Sequence, residues 1–105
     1  MDQRIKKEWV DALRSGTYEQ GFGSLRKDGK YCCLGVLCAV IGHIPLFPEE
    51  DFGIDDSLPP MVAKQVGLGS TNPEVILGVL PTPLSVLNDD GVPFDEIAKL
   101  IEAQL

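Results

Sequence analysis

Apolar side chains at Ile5, Trp9, Ala12 and Leu13 recur at i, i+4, i+7 and i+8, the spacing of one face of an α-helix. The pattern predicts a helix over 2–15, with Asp2 as its N-cap and Gly16 as its stop. Near the other end Phe94, Ile97, Ala98 and Ile101 form a second stripe. Asp95, Glu96, Lys99 and Glu102 lie on the opposite side. That pattern predicts a helix over about 93–103, its early acids placed to favour the helix dipole.

Between these helices the period changes. Glycines at 21, 23 and 29 and the pair Asp28-Gly29 predict a β-hairpin, about 23–27 paired with 30–32. Residues 33–42 are apolar all round, which suits a buried central helix ending near Gly42, with a buried strand as the competing reading. Pro45, Pro48 and Gly53 mark 43–58 as loop. Pro59-Pro60 opens a short helix to about Val66. Residues 69–82 read as loop, with a turn of structure at 73–78, and a short helix over about 83–88 precedes Asn88-Asp89-Asp90-Gly91. The expected fold class is α+β: one domain over 1–105, mainly helical, with a two-stranded hairpin between the first and central helices.

Composition narrows the setting. The chain is 44% hydrophobic and 24% charged, ordinary for a globular domain. No apolar run approaches the roughly 18 residues of a membrane span, and the charged N-terminal stretch Met1–Glu8 does not resemble a signal peptide. Three cysteines, Cys32, Cys33 and Cys38, do not fit a secreted disulfide framework. Adjacent Cα atoms only about 3.8 Å apart would strain a bond between Cys32 and Cys33. Free thiols in a reducing cytoplasm are the expectation. The net charge of −7 is uneven: residues 1–43 carry +2 and residues 44–105 carry −9. Such an acidic half disfavours nucleic acid and anionic membrane as partners.

Three segments of the chain carry a resemblance. The first is Trp9-Val10-Asp11-Ala12-Leu13-Arg14-Ser15-Gly16-Thr17-Tyr18 with Gln20-Gly21-Phe22-Gly23-Ser24-Leu25-Arg26. The second is Tyr31-Cys32-Cys33-Leu34-Gly35-Val36-Leu37-Cys38, and the third is Leu87-Asn88-Asp89-Asp90-Gly91 with Phe94 to Glu102. In that order they resemble a family of small uncharacterised proteins of phages and prophages, whose members often carry Ser or Thr where this chain has Pro93. The resemblance implies a phage-accessory setting, in which small proteins commonly bind host proteins or signalling molecules. It assigns no catalytic residue.

Zinc needs ligands that converge on a tetrahedron. Cys33, Cys38 and His43 stand five apart and point about 140° apart on a helix. Burial as small hydrophobes is the expected role of the cysteines. His43 is the sole histidine, and a helix would hold it roughly 15 Å from Cys33, too far to act as its base. Cys32 at a helix start is the one route to a thiol of lowered pKa. Gly21-x-Gly23 lacks the third glycine of a dinucleotide fingerprint, since Arg26 stands there. Glycines beside Gln20, Arg26 and Lys27 nonetheless suit backbone approach to an anion. Placing Gly91 at position 6 of a calcium loop puts Val86 and Ile97 where acids belong, so that reading fails. A helix-turn-helix reading of 84–101 would present Asp95, Glu96 and Glu102 to phosphate.

The leading expectation is a non-enzymatic binding protein of phage-accessory type that modulates a host protein. Glu49, Glu50, Asp51, Asp55 and Asp56 would form its polar contact surface. The alternative is a small-molecule binder for a nucleotide-like anion at Gln20, Gly21, Gly23, Arg26 and Lys27, with Cys32 nearby. A Cys32-dependent enzyme is the most distant reading. No cofactor and no metal are expected.

Overall fold

A computed structural model describes residues 1–44, 51–53 and 55–105. Among the described residues the chain forms five helices and two small two-stranded antiparallel sheets, an α+β arrangement. The first helix, α1 (Gln3–Arg14), starts where Asp2 Oδ1 accepts from the amides of Arg4 and Ile5 at 2.9 and 3.0 Å. It buries Trp9, Val10 and Leu13 and leaves Ile5 and Ala12 half-buried. The buried face is therefore rotated toward Val10 relative to the stripe read from the sequence.

The first hairpin is shorter than the sequence predicts. Strands β1 (Arg26–Lys27) and β2 (Lys30–Tyr31) pair across Asp28-Gly29, whose φ angles of 54° and 77° match a type I′ turn. The remaining hydrogen-bonding positions go to other segments. Arg26 exchanges two backbone bonds with Phe52, and Tyr31 pairs through its far edge with Glu19 and Gly21. The two-residue ladder is thus extended on both sides by chain that is not strand.

The competing reading of the central segment is settled as helix. Helix α2 (Cys33–Val40) is buried from Cys33 through Cys38. It lies so close to the preceding chain that a Cβ on Gly35 would fall 1.8 Å from the Leu25 carbonyl oxygen. Helix α3 (Pro60–Val66) begins with proline at its first turn, where the missing N–H costs nothing.

The region 69–82 departs from the sequence reading. A second hairpin joins β3 (Glu74–Leu77) to β4 (Leu80–Pro83) in antiparallel register, Leu77 opposite Leu80 and Val75 opposite Thr82. Its turn begins at Gly78 with φ of 74°, as a II′ turn requires. Pro81 and Pro83 argue against a strand, yet the register resolves the conflict. Leu77 and Leu80 flank a two-residue turn and form a hydrogen-bonded pair. Pro81 and Pro83 therefore fall in non-hydrogen-bonded positions, where no N–H is needed toward β3.

Helix α4 (Leu84–Asp89) follows directly. Asn72 caps it from outside, with Oδ1 accepting from the Ser85 amide and Nδ2 donating to Ser85 Oγ at 2.6 Å. The last helix, α5 (Phe94–Gln104), buries Phe94, Ile97, Ala98 and Ile101 against α1 and β3, as its stripe predicts. Pro93 stands at its N-cap without a side-chain cap bond. The core is a single cluster drawn from all five helices together with Leu25, Cys32, Leu58 and Val75. Among the described residues no helix is long and apolar enough to cross a membrane.

Candidate functional site

The three segments singled out in the sequence meet at the N-terminal end of α2. The centre of that meeting is Asn88, which is fully buried. Its Oδ1 accepts from Gln20 Nε2 at 3.0 Å and from the Cys33 amide at 3.1 Å, and its Nδ2 donates to the Gly21 carbonyl at 2.8 Å. Gln20 also donates to the Val92 carbonyl at 2.8 Å. Asp89 Oδ1 accepts from the Gly23 amide at 3.0 Å, and Trp9 Nε1 donates to the Cys33 carbonyl at 2.9 Å. The sequence places Asn88 only at the junction of a short helix with Asp89-Asp90-Gly91. The burial of its carboxamide is set by tertiary packing, for which the sequence holds no local signal.

These bonds change the reading of the glycine segment. The Gly21 amide donates to the Tyr31 carbonyl at 2.7 Å, and a Cβ there would sit 2.7 Å from Lys30 Cβ. Gly21 is therefore glycine because β2 lies against it. The Gly23 amide already faces a carboxylate. Arg26 is 1% exposed, with its guanidinium 5.8 Å from the centre of the Tyr31 ring, while Lys27 points outward to solvent. The expected anion cradle is thus divided. Gln20, Gly21 and Gly23 belong to a fold-holding network, Arg26 is in the core, and Lys27 stands apart.

Cys32 does occupy the N-cap of α2, its Sγ accepting from the Gly35 amide at 3.3 Å. The expected activation does not follow. Burial pushes the Cys32 thiol up to about 12, more than its helix-terminal bonds with Gly35 and Leu34 bring it down. Burial raises Cys38 to about 12 as well, and moves Cys33 well above the ordinary thiol range. All three cysteines are free and buried, and Cys33 Sγ donates to the Leu84 carbonyl at 3.6 Å. Among the described residues no group of three or more His, Cys, Asp or Glu is placed to hold a metal ion.

Of the expected acidic contact surface, Glu49 and Glu50 lie outside the described residues. Asp51 and Asp55 are exposed, and each accepts a backbone amide, from Asp28 at 3.1 Å and Ser57 at 2.8 Å respectively. Asp56 turns inward, contrary to its expected place on a solvated loop. Its Oδ2 is buried without a donor. Burial, then the facing Asp89 carboxylate, raises Asp56 to about 6. The cleft between α1 and α5, lined by Gln3, Lys6, Lys7, Val10, Asp11 and Glu102, has a volume of about 310 Å³. It gathers none of the ligand-binding or partner-binding candidates named from the sequence.

Among the described residues the largest cluster of exposed apolar side chains is on the second hairpin. Ile76, Leu77, Val79 and Leu80 are 53%, 48%, 90% and 68% exposed. Val75, by contrast, is buried and anchors the hairpin to the core. The outer edge of β3 is closed at Ile76. Its N–H donates to Gln104 Oε1 at 2.5 Å, and its carbonyl accepts from Gln104 Nε2 at 2.8 Å. No signal of helical or strand period marks this finger, because its apolar residues run together and its prolines read as breakers.

Fold and site together define a small α+β domain whose polar network serves the fold and whose apolar hairpin projects from it. The chain belongs to the family described as Domain of unknown function (DUF8296), whose model matches residues 1–105. No curated protein and no solved structure matches it.

Proposed function

We propose that this chain is a non-enzymatic binding domain of phage-accessory type that modulates a host protein in the cytoplasm. The observation that carries the reading is the hairpin tip, where four large aliphatic side chains stand in solvent on a two-stranded support. Contiguous apolar surface of this kind marks contact sites in soluble domains. The groups that catalysis or anion binding would need are committed elsewhere. The thiols are buried and protonated, the Gly21 and Gly23 amides are hydrogen-bonded, and Arg26 is in the core. Exposed Asp51 and Asp55 supply acidic surface for the same role. The phage setting rests on the three-segment sequence resemblance.

Chemical cross-linking of the tagged protein in its native cells, followed by reconstitution from purified components, tests the reading. A stoichiometric complex with a host protein supports it. Protein that remains a bare 11.4 kDa species in native mass spectrometry, with no complex that reconstitutes, rejects it.

A further inference from the structure

We infer that the β3–β4 finger docks side chains first into a concave apolar cleft, rimmed by cationic residues, on a different protein. The inference rests on the protein-binding reading above and specifies how that binding occurs.

Three observations select this occupant. Strand addition is blunted on both edges. On β4 the outward positions are Pro81 and Pro83, which have no N–H to offer. On β3 the outward N–H and C=O of Ile76 are both held by Gln104. Natural sheets blunt their edges by such devices, so what remains available is side chain rather than backbone.

A second copy of the chain is a poor occupant. The four residues wrap the tip of a finger. Ile76 lies on the face opposite the buried Val75, and Leu77 and Leu80 share the Val75 face beyond the edge of the core. Two convex tips cannot cover one another, whereas a cleft covers both faces of one finger.

Charge points the same way. Residues 75–83 carry no charged side chain, while residues 44–105 carry −9 and the whole chain −7. Exposed Glu74 stands at the base of the finger on the Ile76 face. A second copy would bring −7 to −7, while a cationic rim is complementary.

The test places p-benzoylphenylalanine at Val79, with Met61 on α3 (65% exposed) as the control position, and irradiates the native cells. The expected result is an adduct with one other protein from Val79 and not from Met61. Calorimetry with that purified protein should then show Leu77→Asp and Leu80→Asp each weakening binding at least about 30-fold, as truncating a central anchor does. Gln104→Ala should stay within about twofold, and affinity should fall as salt rises. Both Asp variants alter exposed positions, and unchanged far-UV circular dichroism confirms that they fold. An adduct of twice the chain's mass would overturn the inference in favour of a second copy. Tighter binding by Gln104→Ala with indifferent tip variants would overturn it in favour of strand addition. Flotation of the protein with phosphatidylcholine or phosphatidylglycerol vesicles, lost in Leu80→Asp, would assign the tip to a membrane. An adduct from Met61 alone would remove the finger and leave the protein-binding reading standing; no adduct from either position would remove both.

Discussion

Gln20 reaches across 68 residues of sequence to place its amide on the Asn88 side chain. Asn88 in turn holds the first turn of α2 and the carbonyl of Gly21. One buried carboxamide therefore ties three distant segments. Asn88→Ala leaves the Gly21 carbonyl and the Cys33 amide without these partners in a dry site, which costs about 1–3 kcal/mol for each group left unsatisfied. The expected result is a loss of several kcal/mol in urea unfolding. Asn88→Asp should rescue only in part, since an ionised carboxylate accepts from Cys33 but cannot donate to Gly21. An Asn88→Ala protein within about 0.5 kcal/mol of wild type, the range of an ordinary surface change, would show that the network is not structural.

The contact of α2 with Leu25 makes a second prediction with an internal control. In a helix interior alanine is favoured over glycine by about 1 kcal/mol. At Gly35 the added methyl meets backbone 1.8 Å away, and overpacking costs typically 1–3 kcal/mol or more. The clash wins, so Gly35→Ala lowers Tm. Gly69→Ala, with nothing within 4 Å of the new Cβ, stays close to wild type. Equal Tm values for the two variants would contradict the close approach.

Asp56 sets a pH dependence of defined sign. Its folded pKa is raised to about 6 from an ordinary 3.8, so between those values the folded chain binds the proton that the unfolded chain has released. Stability contributed at this site is therefore greatest in acid and declines as pH rises toward about 6. The proton also supplies the buried Oδ2 with the bond it otherwise lacks, shared with Asp89. Asp56→Asn should raise Tm at pH 7.5 relative to wild type and flatten the decline between pH 4.5 and 6.5. Carboxyl carbon shifts in NMR should place the Asp56 midpoint near 6, and Asp89→Asn should move it down. A wild-type midpoint near 4 would refute the pairing.

The thiols should be inert in the fold. Only the thiolate reacts, and burial holds all three cysteines protonated. A thiol reagent at pH 7.4 should label the native protein far more slowly than free cysteine, with three equivalents appearing together in denaturant. Rapid labelling of one native equivalent would reopen the Cys32-dependent alternative.

How much of this was legible follows from where each signal lives. Helices α1 and α5 announce themselves because half of each faces water, so period 3.6 survives in the side chains. The Asp28-Gly29 turn shows because positive φ restricts residue choice locally. The second hairpin hides for the opposite reason. Its prolines are tolerated only because of a cross-strand parity that sequence alone does not reveal, and its exposed aliphatics break the rule that apolar residues go inside. Gln20, Gly21 and Gly23 stand out in the sequence, yet their role depends on Asn88 and Asp89, more than 60 residues away. Arg26 and Lys27 look alike in sequence, and strand alternation sends one into the core and the other into solvent.

The packing of α1 on α5, fastened by the 3.0 Å ion pair of Arg14 with Glu102, has a consequence for synthesis. Helix α1 is completed by α5, about 80 residues later in the chain. Trp9, Val10 and Leu13 lack the cover that α5 supplies until that helix has left the ribosome. Such a chain gains little by folding piecemeal during translation. It should fold as one cooperative event after α5 emerges, and nascent chains halted before Phe94 should remain sensitive to protease along their whole length.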